Sequence, residues 1–212
     1  MSANMLFYSE IINILRKRIN MKNSKRLKNK DFSLLASNCN GAFILHDLNL
    51  KFNSPTVNLF MYPSDFVKYI KNLEYYSKCD LKFIKKEDTA YPVGKLDDIE
   101  IHFMHYKDEN EAERKWKERT DRIDFDNMFV MMTDRDGCSL EDLKEFDKLP
   151  YKNKVVFTHK EYSEIKSSVY IKGFENEKNV GNLYSYKNRF TGYKYYDDFD
   201  YVEWFNSRTA EK

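Results

Sequence analysis

The sequence predicts an α/β fold: a mainly parallel sheet flanked by helices in a Rossmann-like three-layer arrangement, with an amphipathic N-terminal helix and an aromatic C-terminal extension. Three observations carry this expectation. Met128-Phe-Val-Met-Met132 is an unbroken apolar run, the mark of a strand covered on both faces. Short runs of this kind alternate with helix-like segments across connections of a few residues, as in βαβ units. The 212 residues, 42% of them hydrophobic with 16 Tyr and 16 Phe, suffice for one core of ordinary size and are too apolar for a disordered chain.

Taken in order, residues 1–30 form a basic arm. Eight Lys and Arg stand there against the single Glu10, a net +7, so the remainder carries −5 of the formal +2. Ile11, Ile12, Leu15 and Ile19 recur at helical spacing behind Leu6, Phe7 and Tyr8, which predicts an amphipathic helix followed by a basic tether. Such an arm either docks on the body of the domain or on a second subunit, or makes a peripheral contact with an anionic membrane.

The single α/β domain spans 31–206, and 207–212 is a tail. Phe32-Ser-Leu-Leu-Ala36 reads as a strand, Asn38-Cys39-Asn40-Gly41 as a turn and Ala42–Leu50 as a helix in which His46 packs; Val57, Leu59 and Met61 line an extended stretch. Ser64-Asp65 caps a helix through Phe66, Ile70 and Leu73 that ends near Cys79. Leu81–Ile84 and Ile99–Tyr106 read as strands on either side of a loop at Tyr91-Pro-Val-Gly94. Asp108–Arg122 is a charged helix with Glu111/Lys115, Glu113/Lys117 and Glu118/Arg122 four apart, anchored by Ala112, Trp116 and Ile123. Ser139-Leu-Glu-Asp142 is a capping box for a helix through Leu143 and Phe146 that Pro150 ends, and Val155–Phe157 is the next strand. From Asn179 to Tyr196, tyrosines and Phe190 are interleaved with Lys187, Arg189 and Lys194 and no acid. That stretch either packs against the sheet or offers stacking faces to a sugar or nucleotide. Asp197–Asn206 closes the domain as a short helix.

Near-neutral net charge argues against a nucleic-acid coat. Cys39, Cys79 and Cys138 have no paired spacing, so neither a disulfide framework nor a zinc cage is expected. No run of 18 uncharged apolar residues exists and the N-terminus does not read as a secretory signal, so the expected location is the cytoplasm, with membrane association through the arm. The glycine fingerprints of P-loop and dinucleotide enzymes, the serine-hydrolase elbow and the zincin histidine pair are all missing, which disfavours those classes.

In a parallel sheet, ligands sit outside the carboxyl ends of the strands, where helix N-termini present unpaired amides. Three loops qualify: Asn38–Gly41, Asp134–Gly137 and Thr158–Lys160. Asp134 and Asp136 suit a divalent cation, Mg or Mn, and their Asp-x-Asp spacing resembles the metal motif of nucleotide-sugar glycosyltransferases; the competing reading is an Asp-Gly turn and helix cap. Arg135 with Asn38, Cys39, Asn40 and Gly41 would steady the phosphates of a nucleotide-sugar or another phosphorylated small molecule, and His159, with Asp136, is the candidate catalytic group. Cys39 before a helix N-terminus also fits a lowered thiol pKa, against the commoner reading of a small buried thiol. His102 and His105, three apart on a strand, face opposite sides and should not share a metal.

The combination of Asn38-Cys39-x-Gly41, Ser54-Pro-Thr56, Tyr91-Pro-Val-Gly94, Ile101-His-Phe-x-His-Tyr106, Asp134-Arg-Asp-Gly-Cys138, Lys152-Asn-Lys154 and Phe157-Thr-His-Lys160 resembles an uncharacterised bacterial family. Its members are labelled exopolysaccharide biosynthesis proteins or domains of unknown function. The resemblance covers Asp31 to Asn206 and implies an α/β domain of bacterial origin associated with surface-polysaccharide synthesis. It carries no catalytic residue. Two functions follow as expectations: a glycosyl or other group transferase using an activated nucleotide-linked donor, or a non-catalytic carbohydrate- or protein-binding accessory factor.

Overall fold

The computed structural model describes residues 3–207, with side chains from Glu10 onward. Leu6, Phe7 and Tyr8 of the predicted helix face therefore lie outside the described side chains, and the tail beyond Ser207 lies outside the described residues. Four strands form a parallel sheet in the order β1-β5-β6-β7: β1 (Ser33–Ala36), β5 (Met128–Thr133), β6 (Lys154–Thr158) and β7 (Ser168–Tyr170). Alternate residues of β1, β5 and β6 feed two separate cores, because successive side chains on a strand point to opposite faces. Leu35, Val130, Met132 and Val156 join one core; Leu34, Ala36, Phe129, Met131, Val155 and Phe157 join the other. That doubly covered sheet is the Rossmann-like arrangement the apolar runs predict.

The first core is closed by α3 (Pro63–Lys71), α4 (Leu73–Tyr76), α5 (Glu109–Thr120) and α6 (Leu140–Lys148). Trp116 of α5 is buried against Tyr69 and Phe103, the packing role its sparse apolar neighbours suggest. The second core is closed by α2 (Asn40–Asp47) and α7 (Tyr201–Asn206), with Leu27 entering it just after α1 (Ala3–Arg26). Phe205 of α7 and Phe32 stack at 4.4 Å beneath Phe129.

Several elements differ from the expectation. A second, antiparallel sheet β2-β3-β4 joins β2 (Lys82–Ile84), β3 (Val93–Leu96) and β4 (Ile99–His102), so the Tyr91–Gly94 stretch leads into a strand rather than a loop and β4 stops well short of Tyr106. The stretch through Val57 and Met61 contributes only a bridge from Phe60 to His102. The helix through Phe66 starts a residue before Ser64: Pro63 takes the first helical position, where its missing N–H costs nothing, and Asp65 instead accepts the backbone N–H of Glu100. His46 does not pack; its side chain is 81% exposed on the outer face of α2. The basic tether is helical as far as Arg26, with 27–30 beyond the helix, and Arg16 is buried against Asp47 and Asp197.

Candidate functional site

All four strands of the main sheet run the same way, so the loops after β1, β5 and β6 emerge at one edge. Ser37 donates its N–H to the Met131 carbonyl and Asp134 to that of Phe157, both at 3.0 Å, which holds the three tips side by side. Asn38 ties the first two together: its Nδ2 donates to Thr133 Oγ1 at 2.7 Å, and its Oδ1 accepts from Asn40 Nδ2 at 3.0 Å and the Asn40 backbone at 3.3 Å. Asn40 is 2% exposed, and its own Oδ1 is buried without a partner. A buried polar atom in that state costs on the order of 1–3 kcal/mol unless something meets it.

These residues floor a cleft of about 400 Å³. Asn38, Cys39, Asn40, Arg135 and Asp136 all line it, five of the residues the sequence nominates. Arg135 donates to Asn182 Oδ1 at 2.7 Å, which aims its guanidinium along the cleft. The opposite walls are aromatic: Phe43 and Tyr184 stack at 4.0 Å, with Phe60, Tyr91, Met104 and His105 completing the enclosure. Asp136 and Gly137 follow one another at φ values of 59° and 81°, a left-handed pair that turns the loop beneath Arg135; Asp tolerates this conformation and Gly is suited to it. A larger opening of 830 Å³ lies at the other end of β5, beside Met128 and Tyr151, away from every strand-end polar group.

Gly41 is placed for a different reason. A Cβ there would stand 2.6 Å from the Ala36 Cβ, so glycine lets the first turn of α2 ride directly on β1 and brings its open amides to the cleft edge. Cys39 follows the buried-thiol reading and not the thiolate one. Burial pushes its thiol pKa up and outweighs the nearby Arg135 charge, so the thiol is protonated at neutral pH and faces the Leu59 carbonyl.

Asp134 and His159 come together but do not line the cleft. Asp134 is 5% exposed; one oxygen accepts the Val180 N–H at 2.8 Å, the other accepts the His159 N–H at 2.8 Å and faces His159 Nδ1 at 2.5 Å. Both carboxylate oxygens therefore serve protein groups, and the imidazole is held at one nitrogen. His102 and His105 separate, but not by strand alternation: β4 ends at His102 and His105 lies in the turn that follows it. His102 is buried, stacked on Phe60 at 4.4 Å with burial lowering its pKa, while His105 is exposed at the cleft.

Of the aromatic wall, only Tyr184 belongs to the segment whose rings the sequence offers for stacking; Phe43, Phe60 and Tyr91 carry no such signal. Phe43 hides in an apolar helix, and Tyr184 is one of several tyrosines in the 179–196 segment. Asn182 follows Gly181 in what reads as plain turn chemistry. The hint available was the interleaving of tyrosines with cations in that segment.

Residues 10–206 match a domain of unknown function, DUF1919. The chain belongs to that family. The match includes the helical arm from Glu10 onward, which the resemblance read from the motifs leaves out. A protein of Haemophilus influenzae, described as an uncharacterized protein, is 52% identical over 188 residues, covering 89% of this chain and 90% of the relative. DUF1919 in this chain is thus an α/β domain whose architecture is compatible with nucleotide-binding enzyme folds in general.

Proposed function

We propose that this DUF1919 protein is a cytoplasmic group transferase of surface-polysaccharide assembly that takes an activated, phosphate-bearing donor, a nucleotide-linked sugar, in the strand-end cleft. The observation that carries this reading is the pairing of Arg135 and the partnerless Asn40 Oδ1 with the Phe43–Tyr184 stack across one 400 Å³ cleft. Cation and first-turn amides of α2 suit a diphosphate; the rings suit the flat face of a base or sugar.

In this reading an acceptor hydroxyl attacks the donor carbon, the bond to the phosphate oxygen breaks, and its electron pair leaves on the diphosphate, whose charge Arg135 offsets. The hydroxyl proton goes to the departing diphosphate; His159, whose Nδ1 faces Asp134, does not line the cleft and takes no part in this step. A divalent cation, Mg or Mn, would be held by Asp136 with the donor phosphates and would supply charge neutralisation at the leaving group. The exposed ring stack also suits a non-catalytic carbohydrate-binding factor, the second reading.

Thermal denaturation with a panel of nucleotide-sugars, with and without manganese, tests the proposal. A binding donor at 100 times its Kd should add about 2.7 kcal/mol, and Arg135→Ala should abolish the shift. Stabilisation by free sugars alone would favour the accessory factor, and no shift with any nucleotide-sugar would end the transferase reading.

A further inference from the structure

We propose that the outward ridge of α1, together with the groove beside it, is a docking surface for an anionic phospholipid bilayer. This surface is separate from the strand-end cleft and does not depend on what the cleft binds.

The roll of α1 is set from below. Arg16 is 4% exposed and bonded to Asp47 and Asp197, Asn23 donates to the Tyr201 hydroxyl at 2.8 Å, and Leu27 is in the core. With that side down, residues three and four apart on the opposite side form a ridge: Ile11, Ile14, Arg18, Met21 and Lys25. Ile14 and Met21 are 52% and 58% exposed, large apolar groups left in water along a basic helix. Beside the ridge lies a groove of about 660 Å³ between α1 and the turn after α2, with Leu27, Leu48 and Leu50 inside it and Lys17, Lys25 and Lys30 around it. Met21 and Lys25 belong to both ridge and groove, so one flat partner meets them together.

Charge decides the occupant. The first 30 residues carry +7, so a second copy laid on the ridge would set like charges against each other. A nucleic acid would use the cations but leave Ile14 and Met21 solvated, and the ridge from Ile11 to Lys25 has no ring for a base to stack on. A bilayer satisfies both classes of side chain, apolar groups at the acyl boundary and ammonium groups among the phosphates. Among the described residues no helix is long and apolar enough to cross a membrane, so the contact is with the surface.

Flotation of the full chain with vesicles tests this. The chain should float with vesicles of phosphatidylcholine and phosphatidylglycerol at low salt, be released at high salt, and stay down with phosphatidylcholine alone. Lys17→Glu/Lys25→Glu should weaken partitioning by roughly 25-fold or more, about fivefold for each cation removed. Ile14→Gln/Met21→Gln, which keeps every charge, should weaken it by about tenfold or more. Inorganic phosphate at constant ionic strength should not displace the protein. The proposal fails if wild type does not float on anionic vesicles at low salt, floats equally on neutral ones, or is displaced by phosphate as a soluble-anion site. It fails equally if the Gln variant binds like wild type, or if a single-stranded RNA oligomer strips both alike. The wild-type arms decide the matter even if a variant misfolds.

Discussion

Gly41 shows how one residue couples packing to the site. In an exposed helix, Gly→Ala is worth up to about 1 kcal/mol of added stability, since alanine has less backbone entropy to lose. Here the added methyl would meet the Ala36 Cβ at 2.6 Å and Leu34 Cδ2 at 3.2 Å, both in the sheet. Overpacking of this kind costs about 1–3 kcal/mol. Gly41→Ala should therefore lower stability in urea denaturation, the opposite sign from an ordinary helical glycine. Because Asn40 and Cys39 sit at the same turn, it should also weaken whatever ligand the cleft takes. A stabilised variant would show that α2 does not bear on β1 as described. Arg135 makes the complementary point. Its geometry comes from Asn182, 47 residues away, so its direction is a property of the fold and not of its own loop.

At the scale of elements, the β5–loop–α6 unit places Arg135 and Asp136 between two well-determined pieces. Ser139 and Asp142 cap α6 reciprocally: the Ser139 hydroxyl accepts the Asp142 N–H at 3.1 Å, and Asp142 accepts the Ser139 N–H at 2.9 Å. Ser139→Ala should cost about 1 kcal/mol in a denaturant titration, with Ser139→Asp restoring most of it; no loss would mean the cap carries no load. This unit was legible because its signals are local, an apolar run, an Asp-Gly turn and a capping box. The antiparallel sheet was harder to see. β3 contains Gly94, which reads as a turn residue, yet a Cβ there would stand 2.6 Å from Leu81 Cδ1 and 2.9 Å from Phe103 Cε2. Glycine is present for close approach inside a strand, and only the third dimension shows that. β7 is three half-buried residues with no apolar run to announce it. The same division holds in the site: Asn38, Asn40 and Arg135 follow from strand-end position, whereas Tyr184, Asn182 and Tyr91 arrive by long-range packing that no local pattern encodes.

Across the whole molecule, a buried charge cluster fastens α1 and the C-terminal segment to the end of α2. Arg16 of α1, Asp47 at the end of α2, and Lys194, Tyr196 and Asp197 of the C-terminal segment converge, with Lys194 Nζ and Arg16 Nη2 at 2.7 and 2.8 Å from Asp47 Oδ2 and the Tyr196 hydroxyl donating to the same oxygen. An anion at a helix C-terminus is unfavourable alone, so Asp47 depends on those partners. Burial pushes its carboxyl pKa up, but the Lys194 and Tyr196 hydrogen bonds and the Arg16 charge outweigh burial and hold it below the usual aspartate range. A carboxyl held lower in the folded state than in the unfolded chain contributes stability that is full above the unfolded value, about 3.9, and is lost as pH falls through the folded value. The wild type should therefore lose Tm progressively below about pH 4, with the arm released from the body. Asp47→Asn leaves Lys194 and Arg16 short of a counter-charge in a dry site, a loss on the order of 3–5 kcal/mol at pH 7. It should also flatten the acid limb of the Tm profile between about pH 4 and pH 2 relative to wild type, since the titrating group is gone. If the variant instead kept the wild-type acid slope, the clamp would not be what couples the basic arm to the fold, and other carboxylates would have to carry the acid sensitivity.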